Sequence, residues 1–247
     1  MKKTTIWVLF MLAGFILMAQ DEATDRFRPS KNNFSAEVNF KPFSSEAPIS
    51  IDGFRGRLFL SNKLAIRIGC NFATKKIHDE TPFVYNNTVY YNTRDERYTV
   101  AGVNTGIEYH FLNSKRFSPY VGVIIGFENK SSKAVYDDVE PDYYSGTNIY
   151  KTVTTEYKNA WRYYSGTQTN LIERGYTRIS GNIVLGGDIY LMKHLYMGLE
   201  LGLGYNSLVY KEVEITGEGT LATKFPKAKD NGFSINVNNS IRLGFWF

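Results

Sequence analysis

Residues 233 to 247 read Phe233-Ser-Ile-Asn-Val-Asn-Asn-Ser-Ile-Arg-Leu-Gly-Phe-Trp-Phe247. Phe233, Ile235, Val237, Ile241, Leu243, Phe245 and Phe247 take one set of alternate positions, and Ser234, Asn236, Asn238, Ser240, Arg242 and Gly244 take the other. Strand side chains point to opposite faces in turn, so this period of two describes a strand with one apolar and one polar face. Asn239 interrupts the apolar series and Trp246 sits on the polar one. A terminal aromatic is expected to be tied into a sheet.

The same period recurs upstream. Phe34, Ala36, Val38 and Phe40 share a face against Ser35, Glu37 and Asn39. Phe54, Gly56, Leu58 and Leu60 oppose Arg55, Arg57 and Phe59, and after a tight turn at Ser61-Asn62-Lys63 the pattern returns with Leu64, Ile66, Ile68, Cys70 and Phe72. Ala101 to Phe111, Val121 to Phe127, Ile179 to Leu191 and Leu195 to Tyr205 complete a set of eight strands. Three connections are short, and four are long: a loop with Pro42 and Pro48, a polar stretch from Ala73 to Arg97, the span Asn129 to Arg178, and a polar loop from Lys211 to Asn231. Short and long connections alternate, which places all short turns at one end of the sheet, with both termini, and all long loops at the other. A structureless loop as long as 129 to 178 would be unusual, and the alternation in 148 to 157 predicts a protruding hairpin there.

Residues 1 to 20 place Lys2 and Lys3 before an apolar run from Ile6 to Ala19. The run is too short for a membrane-spanning helix, which needs ~20 apolar residues, and it suits the core of a signal peptide. The expected organisation is a signal peptide at 1–19 that is removed, a short periplasmic lead at 20–31, and one barrel domain at 32–247. Without the two lysines the net charge of +5 falls to about +3 by subtraction, too weak to imply a nucleic-acid partner. Cys70 is the only cysteine; on an apolar strand face it reads as a small apolar residue rather than a nucleophile.

Alternation defines two faces without saying which is inside. Three features point to lipid outside. Aromatics cluster on the apolar face near the long-loop ends (Phe40, Phe54, Phe72, Phe127, Tyr205, Phe233) and near the short-turn ends (Phe34, Tyr109, Phe111, Phe245, Phe247), with mainly aliphatics between them. Two such girdles flanking an apolar band about 25 Å tall mark a transmembrane barrel. The polar face carries glycine, small polar residues and charges of both signs, a composition suited to a crowded lumen. With eight strands the interior is only wide enough for side chains to fill it. Glu37, Arg57, Arg67, Glu108, Asp188, Glu200 and Arg242 are therefore expected to form an interior charge network, while Arg55 and Glu128, near the long-loop ends, are expected to be wet. The fold read from the sequence is an all-β, antiparallel, up-and-down transmembrane barrel of eight strands with long extracellular loops and a hairpin in the third.

The signal peptide ending Met18-Ala19-Gln20, the glycine-rich alternating strands and the closing Ile241-Arg-Leu-Gly-Phe-Trp-Phe247 resemble the small outer-membrane β-barrel proteins of Gram-negative bacteria, the OmpA/OmpX-type barrels, and within them those of Bacteroidetes. The resemblance implies location in the bacterial outer membrane, contact with outer-membrane lipid, and biogenesis by the barrel-assembly machinery. That machinery reads the last strand, so Leu243, Phe245 and Phe247 would carry the assembly signal. The expected role is non-enzymatic: a plugged barrel whose Tyr-rich loops serve surface interaction or envelope integrity. Tyr provides rigid amphipathic contact area, which makes Tyr143, Tyr144, Tyr150, Tyr157, Trp161, Tyr163 and Tyr164 candidate contact residues for an extracellular or envelope partner. The alternatives are a narrow channel, a subunit of an envelope complex, and a lipid-modifying enzyme. The last is disfavoured because His78, His110 and His194 are scattered, with only His78 in a long loop. No metal-ligand cluster, paired catalytic carboxylates or phosphate loop is present in the sequence, and no cofactor is expected.

Overall fold

The computed structural model describes residues 27–40, 51–85, 87–111, 114, 116–141, 150–165, 168–217, 220–237 and 241–247. The signal-peptide reading of 1–19, Tyr143, Tyr144 and Asn239 fall outside them. In chain order the strands are β1 (Phe34–Phe40), β2 (Ile51–Phe59), β3 (Leu64–Tyr85), β4 (Thr88–His110), β5 (Phe117–Pro141), β6 (Tyr150–Lys158), β7 (Trp161–Ser165), β8 (Gln168–Ile172), β9 (Tyr176–Tyr190), β10 (Leu195–Tyr210), β11 (Val213–Gly217), β12 (Thr220–Phe225), β13 (Ala228–Val237) and β14 (Ile241–Trp246).

Eight strands close a ring in the order β1-β2-β3-β4-β5-β9-β10-β14, all antiparallel. The ring closes where β14 pairs with β1, from Ser35 opposite Trp246 to Phe40 opposite Ile241. Phe247 extends the seam, since its N–H donates to the Phe34 carbonyl at 2.9 Å and its carbonyl accepts from the Phe34 N–H at 3.0 Å. Closure matters because it pairs every strand edge, the condition for spanning a medium without hydrogen-bonding solvent.

The polarity of the ring is inverted relative to a soluble fold. Ile68 is 63% exposed and Phe72 69% exposed, whereas Arg57, Arg67 and Arg242 are each at most 2% exposed. Cys70 faces outward with the apolar set.

The long-loop end departs from the sequence reading. Residues 73–97 are not a loop. They continue β3 and β4, which stay paired up to Tyr85 opposite Thr88, and Asn87 beside that last pair has a φ of 61°. The strands become 22 and 23 residues long, about twice the ~10 that a bilayer needs. The extension was hidden because water wets its outer face, so apolar alternation stops there. Its many Thr, Tyr and Val residues still favour extended backbone. The polar loop at 211–231 likewise contains β11, β12 and the start of β13.

Above the barrel, β5 changes partner. It pairs with β9 up to Lys130 opposite Tyr176, then with β6 from Lys133 opposite Lys158. β6 pairs with β11, and β11 with β12. Part of the wall thus rises as an open sheet past the closed ring. The stretch whose alternation predicts a hairpin in the third loop supplies β6, which pairs with the extension of β5; a separate hairpin, β7–β8, lies against the lumen-side face of that sheet through Trp161.

Candidate functional site

Every strand of the ring sends a polar side chain into one buried assembly. β1 contributes Glu37, β2 Arg55 and Arg57, β3 Arg67, β4 Glu108, β5 Tyr120, β9 Asp188, β10 Tyr196 and Glu200, and β14 Arg242. Arg57 is the hub. Its Nε bonds Glu37, and its Nη1 reaches Asp188 Oδ2 at 2.7 Å and Glu108 Oε2 at 3.1 Å. Arg67 Nη1 bridges Glu108 Oε1 at 2.8 Å and Glu200 Oε2 at 2.7 Å. Arg242 Nη2 lies 3.0 Å from Asp188 Oδ1, and its Nη1 lies 3.5 Å from Glu37 Oε2. The Tyr120 hydroxyl donates to Glu200 at 2.6 Å and the Tyr196 hydroxyl to Glu37 at 2.7 Å.

Arg55 is the correction. Expected to be wet above the membrane, it places Nη1 3.2 Å from Glu200 Oε2 and 3.6 Å from Glu37 Oε2, with its side chain 8% exposed. It shares the inward parity of Arg57, and that parity is the signal that finds it. With Arg55 counted, four guanidiniums meet four carboxylates and the layer is neutral. Neutrality has a physical reason: an uncompensated charge in a lumen this narrow would lose its hydration without regaining an equivalent interaction.

Glu128 is also partnered rather than merely wet. It accepts from Arg178 at 2.8 Å, Asn71 at 3.0 Å and the Tyr176 hydroxyl at 2.6 Å, forming a second layer nearer the long-loop end. At the opposite end Tyr190, Tyr196 and Trp246 pack together with Phe27, whose carbonyl accepts from Trp246 Nε1 at 3.0 Å. The Arg116 guanidinium covers the Phe27 ring at 4.6 Å. Residues just before β1 therefore cover the short-turn end.

A third packed region lies outside the ring. Ala134, Tyr136, Tyr157 and Trp161 are buried together, with Ile77, Tyr98, Leu171 and Ile215 against them. These residues share the inward parity continued from the barrel, so the upper sheet and the β7–β8 hairpin build a small core of their own. Trp161 Nε1 donates to the Arg97 carbonyl at 3.1 Å. The Tyr136 hydroxyl donates to Glu96 at 2.6 Å, and Arg162 stacks over its ring at 4.1 Å while bonding both oxygens of Asp138 at 2.6 and 2.9 Å.

The seven candidate contact residues consequently divide. Tyr157 and Trp161 are buried in the cap core and present no free surface, because closing the upper sheet needs their rings. Tyr163 is 55% exposed. Tyr150 packs among Phe83, Tyr85 and Tyr90 at the tip of the β3–β4 hairpin, with ring centroids 4.5 to 5.6 Å apart. Tyr164 lies in β7. A cleft of about 560 Å³ opens between the hairpins, lined by Asp79, Arg94, Tyr136, Asp138, Arg162 and Tyr163 among others.

The histidines have three separate roles. His110 Nδ1 lies 2.8 Å from Ser118 Oγ, and its Nε2 lies 3.6 Å from Glu108. This Ser–His–acid string was not legible from the sequence, but all three residues are at most 1% exposed and Glu108 is already engaged by Arg57 and Arg67, so no substrate can reach it. His194 Nδ1 lies 2.7 Å from the Trp246 carbonyl. His78, on the exposed hairpin, pairs with Asp95 at 2.8 Å and lies 3.4 Å from Glu80.

The hydrogen bond to Asp95, then its negative charge, raises the His78 pKa above the ordinary 6.5. A raised folded pKa means that the pairing contributes fully below about 6.5 and is lost as pH rises through the raised value. An NMR titration of the folded protein should show a His78 midpoint above 6.5, and Asp95→Asn should bring it back down. An unchanged midpoint in that variant would remove Asp95 as the cause.

A closed ring of eight antiparallel strands, greasy outside and charged within, defines an up-and-down barrel of the transmembrane class. No family model matches the chain, and no curated protein does. Among solved structures the chain is similar to the outer membrane protein OprG from Pseudomonas aeruginosa, at 12% identity and a TM-score of 0.41, covering 90% of this chain and 99% of that one. It is also similar to Ail, the attachment invasion locus protein of Yersinia pestis, at 10% identity and a TM-score of 0.35, covering 88% and 99%. Identities of this size carry no activity from one chain to another.

Proposed function

We propose that this chain is a non-enzymatic integral protein of a bacterial outer membrane, with a plugged lumen and an extracellular cap that contacts molecules outside the cell. The observation that carries the reading is the neutral four-against-four charge layer, drawn from seven of the eight ring strands and joined by Tyr120 from the eighth, β5, inside an exposed apolar wall. Water and ions would have to break buried ion pairs to pass, so the barrel is closed as a pore. The outward-facing aliphatics between aromatic girdles are costly in water and stable in lipid. On the closing strand Leu243, Phe245 and Phe247 are the residues that the assembly machinery would read.

The cap supports a contact role through what it leaves uncovered. At the hairpin tip Val84, Val89 and Tyr91 are 64%, 50% and 54% exposed, far above the membrane wall. Apolar side chains grouped at a protruding tip are a feature of interaction surfaces.

Planar-bilayer reconstitution tests the closed lumen. Purified protein should insert and show heat-modifiable gel mobility without stable single-channel steps. Large, stable conductance from the intact protein would overturn the plugged reading and favour a channel. Arg57→Ala should then open intermittent leak current, because it removes the hub of the layer.

A further inference from the structure

From the outward register of the upper wall we infer that Lys76 and Arg97 form a binding site for the phosphate headgroups of anionic lipid in the outer leaflet, reinforced by Lys133 and Lys158; this rests on the membrane placement proposed above. Lys76 is directly opposite Arg97, Arg97 opposite Lys133, and Lys133 opposite Lys158, so four cations stand side by side across β3, β4, β5 and β6. All four are exposed. Neighbouring strands are ~4.8 Å apart, so the row spans roughly 14 Å. Like charges directly opposite one another destabilise a sheet. The arrangement makes physical sense when an anion sits over it.

Counter-charges within the protein reach only one half of the row. Lys133 pairs with Glu156 at 2.8 Å and Lys158 with Glu214 at 2.9 Å. Among the described residues no carboxylate is within ion-pair distance of Lys76 or Arg97. The acid nearest Arg97 along its own strand face, Asp95, is engaged by His78. Behind the row, on the inward face, lie Ile77, Tyr98, Ala134, Tyr157 and Trp161. The buried Glu96 among them faces inward, where it accepts from the Tyr136 hydroxyl at 2.6 Å with Arg94 Nε 4.0 Å away, so its charge is engaged on the side of the wall opposite the row.

The unpaired half is also the half nearest the lipid. On β3 the outward series runs Phe72, Thr74, Lys76, and on β4 it runs Ala101, Thr99, Arg97. Both cations are therefore at the second outward position above the apolar belt. On β5, Asn129 and Ser131 separate Phe127 from Lys133, which stands one position higher. Four residues cover ~14 Å of strand, and with a tilt of ~40° the rise above the belt is roughly 10 Å. Long side chains at that height can bend back toward the interface, as Lys and Arg do at membrane boundaries. Their charged ends then meet headgroup phosphates, while the exposed Phe72 and Phe127 lie against the lipid below.

Spin-labelled lipid association with the full protein in vesicles tests the site. Wild-type protein in phosphatidylcholine vesicles should immobilise labelled phosphatidic acid several-fold more strongly than labelled phosphatidylcholine, with the preference shrinking as salt is raised. The double substitution Lys76→Gln with Arg97→Gln should reduce the preference to near one without changing the total immobilised lipid. Lys75→Gln, whose side chain has the inward parity, should leave it intact. A wild-type protein without preference, or a double variant that keeps it, overturns the inference. Displacement of the phosphatidic acid by millimolar inorganic pyrophosphate at constant ionic strength would also overturn it, by assigning the cations to a soluble phosphate. Failure to immobilise any lipid would instead refute the membrane placement itself.

Discussion

Arg57→Met is expected to lower the unfolding free energy of the barrel by about 3–5 kcal/mol, the usual cost of removing one partner from a buried ion pair. Arg57 is hydrogen-bonded to Glu37, Asp188, Glu108 and Tyr196, and it is 1% exposed. Its loss leaves four carboxylates facing three guanidiniums across a lumen that water cannot freely enter. Methionine preserves most of the volume, so the effect reports charge rather than a cavity. Urea titration in micelles, followed by tryptophan fluorescence and heat-modifiable mobility, gives the number. Adding Asp188→Asn restores neutrality and should recover a large part of the loss. A change below about 1 kcal/mol would match an exposed pair and would mean that the layer is hydrated.

The second large effect comes from glycine. Tyr120 on β5 lies directly opposite Gly186 on β9, and Tyr196 on β10 directly opposite Gly244 on β14. In each pair the tyrosine ring fills the space that a glycine Cβ would occupy. The rings cannot simply swing away, since their hydroxyls donate to Glu200 and Glu37. Gly186→Val or Gly244→Val should therefore cost about 3 kcal/mol, combining overpacking of ~1–3 kcal/mol with a weakened hydrogen bond to a charged group. Gly181, with nothing within 4 Å of an added Cβ, is the control. Gly181→Ala should leave the unfolding midpoint unchanged or raise it slightly. If Gly186→Val behaved like Gly181→Ala, the tyrosine would not be a fixed strut.

These two predictions show what parity could and could not convey. Glu37, Arg57, Arg67, Glu108, Asp188, Glu200 and Arg242 share one face in the sequence, and in the fold all seven meet in one bonded layer with Arg55 as the eighth member. The place of Arg55 along its strand suggests water, yet a guanidinium is long enough to reach down to Glu200. Tyr120 and Tyr196 were visible on the polar face, but their function as struts depends on which glycine lies across the strand. Register is a property of pairing, and single-strand periodicity is silent about it.

At the long-loop end the same limit applies more strongly. Periodicity reports a strand only when its two faces meet different solvents, and residues 73–97 meet water on their outer face. A loop reading of 129–178 puts Tyr157 and Trp161 on the surface. They are instead the core of a cap built by strands far apart in the chain.

By itself, the sequence determined the eight-stranded ring, its up-and-down order, its long-loop and short-turn ends and the inward face of each strand, because burial against lipid on one side and a crowded lumen on the other imposes a period of two. Only the tertiary structure decided which charges meet, which tyrosine stands over which glycine, and how far the wall rises beyond the ring. Those outcomes depend on cross-strand register and side-chain reach. For the segment that closes the ring, alternation reads Phe233 to Phe247 as strand, and the described residues on either side of 238–240, β13 and β14, both pair with β10, while only β14 also meets β1. Which neighbour each stretch takes is decided by the ladder, since a strand's partner is set by what lies beside it.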